Sequence, residues 1–178
     1  YTNAYVWRNT ADYLPLLYRF TGAYASHEGS ILLWATLAAV VAAWTVFSDS
    51  FEGRGSRLVQ AISLSIVAVF ATMLVAQSPF TPIEVAFPDT PSGFVPPDGD
   101  GLNPLLVNPW MAIHPPITFS AYSLLIVPFA LGVTHFVSLF RDEESVFEAW
   151  LPSMVTWLRV SWLLLTAAIV FGGIWAYS

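Results

Sequence analysis

The sequence predicts an all-α integral membrane protein with about four transmembrane helices, a long proline-rich external loop and an interfacial N-terminal segment. Of its 178 residues, 56% are hydrophobic and 16% are aromatic, whereas only 10% are charged. The mean hydropathy is +0.64, which is too high for a water-soluble globular domain. The chain has no Cys, and this excludes disulfides, thiolate metal sites and a thiol relay among its own residues.

Four apolar stretches are long enough to cross a hydrocarbon core about 30 Å thick at about 1.5 Å per residue. Backbone polar groups in lipid must be satisfied within the segment, so we expect each stretch to be a helix. The stretches cover residues 31–47, 58–76, 117–140 and 154–177. We therefore divide the chain into an external or interfacial segment (1–30), a first helix pair (31–76), a proline-rich external loop (77–116) and a second helix pair (117–178). All four parts are expected to belong to one larger membrane domain.

The distribution of Arg predicts the orientation, because the chain has no Lys. Short loops rich in basic residues face the cytoplasm. Four arginines lie in or beside the two short loops: Arg54, Arg57, Arg141 and Arg159. The 77–116 loop has none, so we expect it on the outer face with both termini, although Arg8 and Arg19 in the N-terminal segment count against this orientation.

The polar segment before the first span has the features of a helix N-terminus. Ser26 suits the N-cap, and the Glu28 carboxylate suits the positive end of the helix dipole. His27 and Glu28 are also candidates for a ligand or proton-relay site at the membrane face. N-capping explains most of this segment and is the favoured interpretation.

Proline dominates the long loop. It holds ten of the 13 prolines in the chain: Pro79, Pro82, Pro88, Pro91, Pro96, Pro97, Pro104, Pro109, Pro115 and Pro116. This density disfavours regular helix and predicts extended and turn geometry. The loop is also apolar, so we expect it to pack on the outer membrane face rather than to be loose.

His114 is the strongest candidate for chemistry. A residue before proline is biased towards extended backbone, and Pro115 and Pro116 suit the first turn of the third span. A position beside a helix N-terminus disfavours the imidazolium and leaves a nitrogen lone pair for haem iron. Trp110 and Met111 are candidates for an apolar wall against the porphyrin. An interfacial histidine that hydrogen-bonds the loop is an equally good interpretation from chemistry alone.

The third and fourth spans carry further features. Pro128 predicts a kink, and Gly132 and the Gly172–Gly173 pair predict close helix packing. His135 lies within the third span and is a functional candidate for that reason. Its proximity to Arg141 favours a packing or snorkelling role.

Short motifs are distributed along nearly the whole chain. They are residues 27–30 (HEGS) with 32–34 (LLW), 101–106 (GLNPLL), 113–116 (IHPP), 127–130 (VPFA) and 172–177 (GGIWAY). In the order and spacing of these motifs the chain resembles the CcmF family of cytochrome c-type biogenesis proteins, which are haem lyases, and it is similar to the paralogous NrfE group.

The resemblance implies a specific activity and site. The family accepts haem b from the chaperone CcmE and promotes its covalent attachment to apocytochrome c, beside a CcmH-like thiol partner in the inner (cytoplasmic) membrane. It implies that His114 is one of two outward-facing axial ligands of haem iron. In the mechanism that the residues themselves favour, Trp110 and Met111 form the wall beside this haem, and His27 and Glu28 are at most in supporting contact. No catalytic side chain and no nucleic-acid partner are expected.

Several features of the family are missing from this chain. The Trp-rich segment that cradles haem is expected just after Ser178, and Ala25 and Ser26 replace the family's Gly-Gly. The second outward histidine, the paired histidines for an intramembrane haem b and the first helices are also missing. We therefore expect an internal piece of a longer protein, with haem-lyase activity only in the complete protein or complex.

Two other functions stay open at this stage. One is a membrane subunit of a respiratory or ion-translocating complex, with His27, Glu28 and His135 as a proton or quinone site. The other is a structural or transport segment without a cofactor.

Overall fold

The computed structural model describes residues 1–48, 53, 55–140 and 147–178, without the side chain of Phe147. Two arginines used to predict the orientation, Arg54 and Arg141, lie outside the described residues. Eight α-helices follow one another within these ranges: α1 (Ala4–Asn9), α2 (Leu16–Thr21), α3 (His27–Phe47), α4 (Ser56–Ala76), α5 (Ile83–Ala86), α6 (Pro109–Leu124), α7 (Ile126–Phe140) and α8 (Phe147–Ala176). Short 3₁₀ turns occupy Gly22–Tyr24 and Pro104–Leu106.

The prediction of an all-α membrane protein with four spans is confirmed. The four helical stretches long and apolar enough to cross a membrane are His27–Phe47, Ser56–Ala76, Pro109–Phe140 and Glu148–Ala176. The first starts at His27 rather than residue 31, because Ser26 occupies its N-cap position. The third starts at Pro109 rather than residue 117, so the end of the predicted loop is helical.

The third span consists of two helices, as Pro128 predicted. Helix α6 ends at Leu124, and Leu125 separates it from α7. Proline at position 128 has no N–H for the Leu124 carbonyl, and its ring collides with that carbonyl in a regular helix. The interruption at Leu125 therefore follows from Pro128, and the two helices still form one membrane crossing.

The four spans pack around one apolar core. Helix α6 packs most extensively against α8, and α3 packs against both α4 and α6. Helix α7 connects the two halves through contacts with α4 and α8. The buried core residues come from α3, α4, α7 and α8: Ile31, Ala35, Ala38, Val41, Val59, Phe70, Ile126, Val127, Ala130, Leu131 and Trp150.

The N-terminal segment and the proline-rich loop form one layer at the same end of the bundle. Ala4 N donates to Thr81 O at 3.0 Å, and Ile83 N donates to Thr2 O at 2.9 Å. Further along, Asp100 N donates to Trp7 O at 2.8 Å. These bonds satisfy backbone groups that have no helical partner, so the loop is an organised structure.

Asp98 also ties the loop to the N-terminal segment. Its Oδ1 accepts from Asp12 N at 2.8 Å and from Gly99 N at 2.7 Å. These backbone hydrogen bonds lower the pKa of the Asp98 carboxyl, because they favour its charged form. The loop and segment are therefore held together by side chains as well as by the backbone.

Gly29 explains how the N-terminal segment docks on α3. A Cβ at this position would overlap the Tyr5 hydroxyl and the Ala23 carbonyl oxygen. Tyr5 Oη in turn donates to Gly22 O at 3.0 Å. The glycine of the 27–30 motif therefore has a structural reason: it lets Tyr5 and the Gly22–Tyr24 turn lie directly against the helix.

Gly132 shows no such contact. A Cβ there would meet nothing within 4 Å, so the expectation that Gly132 allows close helix packing is wrong. Helix α7 packs through its neighbouring residues Ala130 and Leu131 instead.

We predict that Gly29→Ala destabilises the protein and that Gly132→Ala does not. Gly29→Ala forces a methyl group against backbone atoms and should lower the free energy of unfolding by about 1–3 kcal/mol. Gly132→Ala replaces an interior helical glycine and should raise the free energy of unfolding by up to about 1 kcal/mol. Thermal unfolding in detergent measures both variants. An unfolding midpoint of Gly29→Ala at or above that of Gly132→Ala would contradict the docking role.

Candidate functional site

His114 lies inside helix α6, so the prediction of an extended pre-proline residue is wrong. The helix starts at Pro109, and the Asn108 side chain caps it by accepting from Trp110 N at 2.9 Å. Pro115 and Pro116 continue the helix. The pre-proline restriction is a bias that tertiary contacts override here.

Tyr24 compensates for one of the two prolines. Pro116 has no N–H for the Ala112 carbonyl, which is the partner that a regular helix would give it. The Tyr24 hydroxyl donates to this carbonyl at 2.7 Å. A tyrosine hydroxyl is protonated at neutral pH and able to donate, and burial raises the pKa of Tyr24 further in this direction.

The imidazole of His114 connects α6 to α8. Its Nδ1 lies 2.8 Å from Ala168 O, and a carbonyl oxygen only accepts, so Nδ1 carries the proton. Thr118 Oγ1, at 3.4 Å from the same nitrogen, donates to His114 O at 2.8 Å. The contact with Ala168 therefore fixes the tautomer in which Nε2 has the free lone pair.

The contact with Ala168 replaces the helix-dipole argument that the sequence suggested for His114. The helix dipole acts mainly within the first turn, and His114 lies beyond the first turn of α6. A hydrogen bond from one ring nitrogen to a backbone carbonyl is the usual second contact of a metal-binding histidine. The geometry is thus suited to ligation through Nε2.

Gly172 makes room for this ring. A Cβ on Gly172 would lie 2.8 Å from His114 Cε1 and 2.9 Å from Nδ1, whereas one on Gly173 would meet nothing within 4 Å. The packing role predicted for the glycine pair is therefore confirmed for Gly172 and wrong for Gly173. Without a side chain at 172, the imidazole lies against the backbone of α8.

Aromatic rings surround the same contact between α6 and α8. The Trp175 ring lies 6.1 Å from that of His114, and Trp175 Nε1 donates to Leu105 O at 3.2 Å. Trp110 stacks on Phe171 with ring centroids 5.7 Å apart. Met111 is only 2% exposed, so its side chain presents almost no surface to a ligand.

The comparisons with known proteins establish the family of the chain. Residues 24–178 match the family described as Cytochrome C assembly protein. This chain belongs to that family. No solved structure matches the chain.

Curated relatives span much more sequence than this chain. It is 33% identical to the cytochrome c-type biogenesis protein ccl1 of Rhodobacter capsulatus over 97% of this chain and 24% of the relative. It is 30% identical to the cytochrome c-type biogenesis protein CcmF of Pseudomonas aeruginosa over 98% of this chain and 25% of the relative. It is 31% identical to the cytochrome c-type biogenesis protein NrfE of Haemophilus influenzae over 99% of this chain and 26% of the relative. The chain thus spans about a quarter of the length of the relatives it matches.

The remaining candidate residues do not form one site with each other. His27 is exposed and Glu28 is half-buried in the first turn of α3. His135 is near the other end of the bundle, because Thr134 beside it lies close to Gly55 in the turn before α4. The length of α3, which is 21 residues, separates the two ends by about 30 Å at about 1.5 Å per residue.

The separation of His135 from His27 and Glu28 is relevant to the alternative function, a proton or quinone site in the membrane. A single proton or quinone site that uses His27, Glu28 and His135 together is not formed by the described part of the chain. The same part contains no group of three or more His, Cys, Asp or Glu side chains that would hold a metal ion. His114 is therefore the candidate with a specific supporting geometry.

Sequence reasoning missed Tyr24, Ala168 and Trp175. The sequence did contain a signal for a residue such as Tyr24, since a proline pair in an apolar helix leaves backbone carbonyls that need a hydrogen-bond donor from elsewhere. Ala168 had no such signal in the sequence, because its backbone carbonyl and not its side chain contacts His114. Trp175 was noted only as part of the family motif at the end of α8.

We predict that Tyr24→Phe destabilises the protein by about 1–3 kcal/mol, because it leaves the Ala112 carbonyl without a buried donor. Tyr122→Phe is the matched control, since no hydrogen bond of the Tyr122 hydroxyl occurs among the described residues. Thermal unfolding in detergent gives the comparison. Equal midpoints for the two variants would show that the Tyr24 hydroxyl contributes nothing.

Proposed function

We propose that the chain is part of a cytochrome c maturation protein that binds haem at the outer membrane face and promotes its covalent attachment to apocytochrome c. The observation that carries the proposal is the hydrogen bond from His114 Nδ1 to Ala168 O, 2.8 Å long. It leaves Nε2 as the free donor atom, in a chain of the cytochrome c assembly family. Axial histidine is a common protein ligand of haem iron.

The residues present fit haem as a substrate. His114 would bind the iron through Nε2, held in orientation by Ala168 and by the space that Gly172 leaves. Trp175 lies 6.1 Å from the His114 ring, and Trp110 stacks on Phe171, the residue before Gly172; both tryptophans are half-buried. We infer that they contact the porphyrin and that Met111 supports them from the interior.

The role of this site is positioning. Thioether formation adds the S–H of a cytochrome cysteine across a haem vinyl group, and no other atom enters or leaves. His114 would hold the haem by its iron while the rest of the protein positions the thiols of the apocytochrome. Fixed geometry of this kind lowers the entropic part of the barrier. The chain itself has no Cys, so the thiols come from the apocytochrome.

The proposal includes a location and partners. We infer an inner (cytoplasmic) membrane location with the layer of residues 1–26 and 77–108 on the outer face. Haem b would arrive from a CcmE-like chaperone, and a CcmH-like thiol partner would keep the apocytochrome reduced. The second axial ligand would come from the remainder of a longer CcmF-like protein, because the relatives are about four times as long.

We predict that His114→Ala in the full-length protein abolishes most of its haem loading and cytochrome c maturation. His135→Ala is the control, since His135 lies near the other end of the bundle. Haem absorption spectra of the purified protein and the haem-stained cytochrome c in a gene-deleted strain measure the two effects. Wild-type spectra and wild-type maturation in His114→Ala would refute the ligand assignment.

We also predict that Gly172→Ala lowers haem loading and that Gly173→Ala does not. The new methyl group at 172 would lie 2.8 Å from His114 Cε1 and displace the ring, whereas at 173 it meets nothing within 4 Å. A misplacement of about 1 Å is enough to lower activity about 100-fold in a positioned site. The measurement is haem bound per protein, with circular dichroism as a check of folding. Equal loss in both variants would mean that helix α8 is altered generally.

A further inference from the structure

A polar cavity of about 520 Å³ lies between the N-terminal segment and the ends of two membrane spans. It is lined by α1, the first turn of α3, the end of α4 and the start of the loop. Tyr5, Arg8, Glu28, Gln77 and Ser78 contribute to its walls. His114 does not line it, so it is separate from the proposed haem site.

The cavity presents one positive and one negative side chain that do not neutralise each other. The Arg8 guanidinium lies over the Phe87 ring, 5.2 Å from its centroid. Glu28 accepts from Ser26 Oγ at 3.5 Å. Among the described residues no ion pair joins Arg8 to Glu28. The two charges therefore suit a ligand that carries both an anionic and a cationic group and fits within this cavity.

We propose that this cavity binds the headgroup of a zwitterionic phospholipid with a primary ammonium, of the phosphatidylethanolamine type. Arg8 would contact the phosphate, and Glu28 would accept hydrogen bonds from the ammonium. The depth agrees with a headgroup, because Glu28 lies in the first turn of one span and Gln77 directly follows another. Charge-assisted hydrogen bonds of this kind are roughly twice as strong as neutral ones.

A second cavity distinguishes a lipid from a small soluble zwitterion. It has a volume of about 240 Å³ and shares Tyr5 with the first. Val6, Leu32 and Phe80 are among its walls, and this apolar surface suits the glycerol and upper acyl carbons of a lipid. An amino acid or free phosphoethanolamine would fill only the polar cavity.

The test measures which lipids remain on the purified full-length protein. Delipidated protein is incubated with mixed micelles of phosphatidylethanolamine, phosphatidylcholine and phosphatidylglycerol in equal amounts, and retained lipid is quantified by mass spectrometry. We expect a preference for phosphatidylethanolamine of about tenfold, because phosphatidylcholine has no ammonium N–H and phosphatidylglycerol has no cation. Free phosphoethanolamine is added in a separate arm and should compete only weakly.

Single variants assign the two charges. Glu28→Gln should remove the preference for phosphatidylethanolamine over phosphatidylglycerol. Arg8→Gln should lower the retention of both phosphatidylethanolamine and phosphatidylglycerol. Arg57→Gln and Glu148→Gln are charge-matched controls at exposed positions that should bind as wild type. If a Gln variant unfolds by circular dichroism, Arg8→Lys and Glu28→Asp keep the charges and should keep the preference.

The outcomes separate this site from other interpretations. An unchanged lipid profile in both Arg8→Gln and Glu28→Gln overturns the proposal, as does a profile without a preference in the wild type. Full displacement by free phosphoethanolamine would mean that the ligand is a soluble zwitterion, and it overturns the lipid assignment. His114→Ala should retain the lipid whether or not it loses haem, so this proposal and the proposed haem function fail independently.

Discussion

Backbone carbonyls that lack a helical partner govern the arrangement of this molecule. Proline at 115 and 116 removes two N–H groups from the middle of a membrane-spanning helix, and such a loss must be met by neighbouring groups. The Tyr24 hydroxyl replaces one of these donors, because it donates a hydrogen bond to the Ala112 carbonyl. Because Tyr24 belongs to the N-terminal layer, this bond fixes the layer on α6. The helix that carries His114 is thereby held by the N-terminal layer as well as by its contact with α8.

The sequence was sufficient for the fold at the level of spans because hydrocarbon length and backbone satisfaction leave few alternatives. All four predicted stretches lie within the observed spans or within a residue of their ends. An interruption of the helix near Pro128 was predictable as well, since a missing N–H and a ring clash are local consequences of one residue. The N-cap position of Ser26 was also predictable, although Ser26 Oγ contacts Glu28 and makes no cap hydrogen bond.

Errors arose where tertiary contacts override a local preference. Pre-proline bias predicted extended backbone at His114, but a helix that starts at Pro109 and packs along α8 continues through it. Gly132 and Gly172 look alike in sequence, and only the structure shows that one faces open space and the other an imidazole. The hydrogen-bond partner of His114 could not be predicted from the sequence for a different reason. A backbone carbonyl such as that of Ala168 is present at every residue, so no side chain marks it.

His114 and Gly172 are best regarded as one unit, although they belong to motifs far apart in the chain. The hydrogen bond to Ala168 requires the imidazole to approach the backbone of α8, and any side chain at 172 would occupy that space. The 113–116 and 172–177 motifs therefore depend on each other physically. A histidine before two prolines supplies a donor atom, but the glycine and the carbonyl of α8 determine which nitrogen is free. The family resemblance pointed to His114 alone, whereas the packing shows that the helix against which it lies determines which nitrogen of its ring is free.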